Sequence, residues 1–216
     1  MYTDYTGNLI VGTDLYAIKS GHVDTPALVR IDSLGNEYKV RDFAYTTSGL
    51  RWDSSSGRIY WSENIPDERW SLETGSAVKR RKGMKTRRIG KNSLKYNPAP
   101  SPVGSVFSVS EYRITGETGL NILDDSGCIL QTFDVPDSLQ IVQTAWMTEK
   151  DIYASAISEN GYGIYHMDIQ EGIWTNILHP QPVMIKDLRT YGEVLTFVSD
   201  RTGVNELYHL NPTTGD

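Results

Sequence analysis

Two adjacent acidic pairs are the first residues whose types could do chemistry: Asp67 and Glu68 in NIPDERW, and Asp124 and Asp125 in ILDDSG. Paired carboxylates can divide into a general acid and a general base, or share a calcium ion. Asp124 and Asp125 stand just before Gly127, where an Asp side chain bonds its own backbone and Gly completes a turn. That turn chemistry explains them. Asp67 and Glu68 are left as the pair without a local role.

Other catalytic patterns are missing. Acyl transfer on a hydrolase elbow needs G-x-S-x-G, zinc hydrolysis needs H-E-x-x-H, and nucleotide binding needs a glycine-rich loop; none occurs. His22, His166, His179 and His209 are far apart with no ligand at metal spacing, so neither metal nor cofactor is expected. The lone Cys128 excludes an internal disulfide and does not fix a compartment. DSSSGRIYW carries the glycine of the aspartate box found at sialidase blade turns, S-x-D-x-G-x-x-W. Ser55 stands where its Asp belongs, and an ordinary turn is the preferred reading. No apolar run approaches the roughly 18 residues of a membrane span, so insertion is not expected.

The strongest charge feature is KRRKGMKTRRIGK, with Lys79, Arg80, Arg81, Lys82, Lys85, Arg87, Arg88 and Lys91 in thirteen positions. The whole chain has formal charge −6; outside this run, 13 basic residues face 27 acidic ones, or −14. The run holds no aromatic on which a base could stack, and its surroundings would repel a polyanion. Nucleic acid is therefore not the expected partner.

What positions these groups is a repeat. An apolar strand ending in Asp or Asn before a turn glycine recurs as RIDSLG, ILDDSG, HMDIQEG and HLNPTTG; Asp124, Asp168 and Asn211 are 44 and 43 residues apart. A β-branched and aromatic strand recurs around Tyr16, Tyr60, Phe107, Tyr153 and Leu195, at spacings of 44, 47, 46 and 42. Helical periodicity is absent, and the spacing matches the roughly 40–45 residues of a four-stranded propeller blade. The expected fold is all-β: a single β-propeller over 1–216, with blades at about 1–41, 46–90, 94–134, 139–179 and 183–216. The last unit stops at NPTTGD, before its fourth strand, so an incomplete part of a ring of six or more blades is expected. Its unclosed edges would permit self-association. Aligning ALVRIDSLGNEYKV with SAVKRRKGMKTRRI assigns the basic run to the two outer strands of the second blade, Gly83 serving the turn. There its charge would discourage edge pairing.

FVSDRTGVNELYHLNPTTGD (Phe197 to Asp216) resembles the repeat of TolB-type propellers, in which a strand ends at SDR-x-G and is followed by a strand and an N/D-P-x-T-G turn. The W-S-P-D-G turn of that family survives in degenerate form as WDSSSG, PSPVG and WMTEKD. The order of features is also similar to propeller segments of large bacterial envelope proteins, some with a peptidase-like domain elsewhere. The resemblance implies a periplasmic or envelope location and a role in protein contact.

The expected function is a non-catalytic interaction module of a larger envelope protein, with a protein or peptide partner. The alternative is an accessory propeller that binds or gates substrate for a peptidase or glycan-processing enzyme. The loops between second and third strands, read as GHVDTP, NIPDERWSLETGS, YRITGET, SENGYG and DRTGVN, share one face. They offer Asp24, Asp67, Arg69, Trp70, Tyr112, Arg113, Tyr162 and Arg201. Arg, Trp and Tyr are the types enriched at interface hot spots.

Overall fold

The computed structural model describes residues 3–21, 25–43, 47–65, 69–76, 86–89, 95–112, 116, 118–136 and 138–215. Their regular structure is all β, in five meandering sheets with consecutive strands as neighbours. The first holds β1 (Thr3–Val11), β2 (Asp14–Gly21), β3 (Ala27–Ile31) and β4 (Glu37–Asp42). The second holds β5 (Thr47–Asp53), β6 (Arg58–Ile65), β7 (Arg69–Ser76) and β8 (Thr86–Arg88). In the third are β9 (Lys95–Pro100), β10 (Val106–Tyr112), β11 (Thr118–Asp124) and β12 (Ile129–Asp134). The fourth comprises β13 (Gln140–Trp146), β14 (Asp151–Ser158), β15 (Gly161–Asp168) and β16 (Ile173–Gln181), and the fifth β17 (Ile185–Tyr191), β18 (Val194–Ser199) and β19 (Glu206–Leu210). This repeated meander is a β-propeller.

The turns recur because the same local chemistry recurs. Asp32 Oδ1 accepts from the Leu34 and Asn36 backbone N–H, both at 2.9 Å. Asp124 Oδ1 accepts from Ser126 N at 2.8 Å and Cys128 N at 2.9 Å. Asp168 and Asn211 do the same for Gln170 and Thr213. The glycine closing the Asp124 turn, Gly127, sits at φ 90°, where a Cβ would be strained.

The chain divides into two compact units, Met1–Pro98 and Ala99–Asp216. In the first unit, alternation along β2 turns Tyr16 and Ile18 into a core with Leu9, Leu28, Leu50, Ile59 and Trp61. Phe43 meets Trp61 edge-on there, centroids 6.0 Å apart. Lys19, of opposite parity, instead meets Glu37 at 2.6 Å, and the Tyr5 hydroxyl donates to the same carboxylate at 2.7 Å.

In the second unit β14 is buried on both faces: Ile152 and Ala154 join the core shared with the third sheet, and Tyr153 the core shared with the fifth. Polar bonds pin these seams. The Trp146 indole N–H donates to the Ala99 carbonyl (2.9 Å) and to Ser108 Oγ (3.0 Å), and Ser108 and Thr144 hydroxyls lie 2.9 Å apart. On the other side the Thr190 hydroxyl donates to the Trp146 carbonyl at 2.7 Å, and Leu188 N–H donates to Gln143 Oε1 at 3.1 Å. Each such bond contributes about 1 kcal/mol net, and more is lost when one buried partner is stranded.

One strand assignment is corrected. The third strand of the second sheet is β7, pairing Arg69 with Ile65 through to Ser76 with Arg58, so Asn64, Ile65 and Arg69–Ser76 are strand residues rather than parts of a long loop. The basic run does not supply the third strand, which is β7; its Thr86–Arg88 forms the outer strand β8, as the alignment expected, and residues 79–85 lie outside the described residues. The alternating apolar Trp70 and Leu72 of WSLETGS favour a strand there, ahead of the valine match on which the alignment rested.

Candidate functional site

Asp24, Asp67, Glu68 and Arg113, with Lys79, Arg80, Arg81, Lys82, Lys85 and Lys91, lie outside the described residues. Arg69 and Trp70 open β7 and are strand residues, not loop residues. Tyr112 ends β10 opposite Thr118 and is 42% exposed. Tyr162 and Arg201 are brought to one glutamine: Tyr162 pairs with Gln181 across β15 and β16, and the Arg201 guanidinium donates to Gln181 Oε1 at 3.4 Å.

Around that glutamine the sheet ends are tightly built. Gly161 has φ +107°, and a Cβ there would come 2.0 Å from the Gln181 carbonyl oxygen. The glycines of SENGYG therefore serve a close passage of the β16 backbone. Arg201 lies over the Tyr208 ring at 4.8 Å, and Tyr208 stacks on Phe197 with centroids 5.8 Å apart. Glu206 accepts from the Thr202 hydroxyl at 2.7 Å and the Tyr208 hydroxyl at 2.9 Å. The Thr202 bond first, then that of Tyr208, holds the Glu206 carboxyl below its usual range. Burial, then the Glu206 bond, pushes the Tyr208 phenol up. Both groups thus keep their charge states through neutral pH, which suits cation–π and hydrogen-bonded contact rather than proton transfer. Gln181 and Tyr208 were not singled out from sequence. Tyr208 had a signal, since alternation in ELYHL sets it on the same face as Leu210.

The arrangement nearest to catalytic chemistry is in the fourth sheet. His166 Nε2 lies 2.7 Å from Asp151 Oδ1, and the Thr148 hydroxyl donates to Asp151 Oδ2 at 2.5 Å. The carboxylate stands between hydroxyl and imidazole, so the imidazole does not reach the hydroxyl it would have to activate. The Thr148 bond, opposed by burial and aided by His166, holds the Asp151 carboxyl below its usual range. This is a carboxylate–imidazole hydrogen bond, and its counterpart in the first sheet is the ion pair of Asp14 with Arg30 at 2.8 Å. Among the described residues no group of three or more His, Cys, Asp or Glu is placed to hold a metal ion.

No family model and no curated protein matches the sequence. Solved structures do. Puromycin hydrolase superposes with TM-score 0.74 and 14% identity, over 99% of this chain and 36% of that one. The chain thus spans about a third of that enzyme's length. The putative TolB of Agrobacterium tumefaciens gives TM-score 0.64 and 16% identity, over 84% of this chain and 64% of that one. A chain of the nidogen/laminin complex gives 0.69 and 12%, over 95% and 74%. At these identities the likeness is one of fold. With its repeated meander, its SDR-x-G motif and its degenerate W-S-P-D-G turns, the chain has the TolB-like β-propeller fold.

Proposed function

We infer that the chain is a non-catalytic protein-interaction propeller of the bacterial cell envelope, binding a protein or peptide segment at the end of the fourth and fifth sheets. The observation that carries this reading is the Arg201–Tyr208–Phe197 stack beside Tyr162 and Gln181. It is a rigid aromatic and guanidinium surface of the kind that anchors partners. Selection of phage-displayed peptides on the purified chain tests it. Selected peptides should lose at least about tenfold in affinity on Arg201→Glu, with the melting temperature unchanged. Peptides bound equally by the variant, or hydrolysis of peptide amides by the chain itself, would overturn it.

A second reading is favoured by the superposition on peptidase propeller domains: an accessory propeller that admits or positions substrate for a catalytic domain. A G-x-S-x-G or H-E-x-x-H motif in the flanking coding sequence would favour it.

A further inference from the structure

At the opposite end of the fourth sheet from Arg201, an apolar groove opens between the third and fourth sheets. It has a volume of about 360 Å³, with Ile122 and Trp146 at its buried base and Val103, Val106, Leu130 and Ile169 along it. Leu130 is 54% exposed and Val103 61%, so aliphatic surface is left facing water. Leu130 belongs to β12, the last strand of its sheet. Ile129–Phe133 carries no charge, whereas the corresponding β4, EYKVRD, has four charged residues in six. Charge on an outer strand deters pairing with another chain; β12 lacks that protection where the groove passes it.

The surroundings of the groove are acidic. The turns joining the strands of these two sheets at this end, with the residues that flank them, hold Asp124, Asp125, Glu149, Asp151, Asp168 and Glu171 against Lys150, of which Glu149 and Lys150 line the groove itself. The Ser126 hydroxyl and the Cys128 N–H keep the Asp124 carboxylate ionised well into the acid range, and Asp151 is held likewise. An apolar floor at an end of the sheets where carboxylates outnumber cations favours aliphatic side chains flanked by cations.

We propose that the groove between the third and fourth sheets, along β12, binds an extended peptide segment whose aliphatic side chains are flanked by Lys or Arg. The site is independent of the Arg201 stack.

The probe is a fluorescein-labelled peptide, Lys-Lys-Leu-Ile-Val-Leu-Lys-Lys, compared by anisotropy with a counterpart in which Glu replaces each Lys. The Lys-flanked peptide should saturate the chain with an affinity at least about tenfold above the Glu-flanked one, and the difference should shrink as salt is raised. The double substitution Val103→Ser with Leu130→Ser should weaken binding about tenfold or more. Both side chains are exposed, so the melting temperature should hold. Arg201→Glu should leave this binding unchanged. Equal binding of the two peptides, no saturation up to about 1 mM, or full binding by the double variant would overturn the proposal. Sedimentation showing a dimer that Leu130→Ser dissociates would assign the groove to a second copy and overturn it too.

Discussion

Asp14 in β2 and Asp151 in β14 each stand two residues before a buried tyrosine, in DLYA and DIYA, and each reaches a partner on the next strand. In the first sheet that partner is Arg30 at 2.8 Å, opposite Tyr16; in the fourth it is His166 at 2.7 Å, opposite Tyr153. The side chains of the arginine pair are 17% and 11% exposed, and those of the histidine pair 21% and 33%. Arg30 also lies over the Tyr38 ring at 4.5 Å. The repeat thus fixes where the carboxylate stands and leaves its partner free to vary. A guanidinium makes the pair permanent, while an imidazole ties its charge to pH.

The comparison breaks most visibly at the deeper pair. Asp14→Ala strands a part-buried guanidinium and should cost about 2 kcal/mol in urea unfolding, whereas a loss under about 0.5 would show that the pair is idle. Arg30→His converts the first sheet to the chemistry of the fourth. A histidine forms an ion pair with a carboxylate only while protonated, so any contribution of that pair is present at low pH and lost as the imidazole deprotonates. The variant's unfolding free energy should decline by about 1 kcal/mol relative to wild type between pH 5 and 8; a constant offset would refute the transfer. Asp151→Asn has the smallest effect, about 0.5 kcal/mol at neutral pH for a pair this exposed. The Asp151 carboxyl is held below its usual range, so its contribution is complete above about pH 4 and fades as pH falls through the lower folded value. A wild-type advantage that persisted undiminished to pH 2 would exclude it.

The all-β propeller fold was legible because its signals are local. Asp32, Asp124, Asp168 and Asn211 each bond backbone N–H groups two to four residues on, so turn chemistry written in six letters reports the meander directly. The third strand of the second sheet misled. Val78 and Ile89 fit the register of Val29 and Val40, but β7 had already formed from Arg69–Ser76, whose period-two Trp70, Leu72 and Thr74 were the better guide. Of the candidate loop residues, Tyr162 and Arg201 meet at Gln181, some twenty residues from each. The groove was not readable: Val103, Leu130, Trp146 and Ile169 are brought together only by packing between sheets, and no spacing rule encodes that.

Trp146 has a consequence beyond the seam it closes. Its indole is 6% exposed, donates to Ala99 and Ser108, and forms part of the groove floor. The molecule therefore contains its own optical reporter at that place. An aliphatic side chain settling above the ring would change the polarity that the excited indole senses, and occupancy could be followed in the unlabelled protein by the colour of its emission.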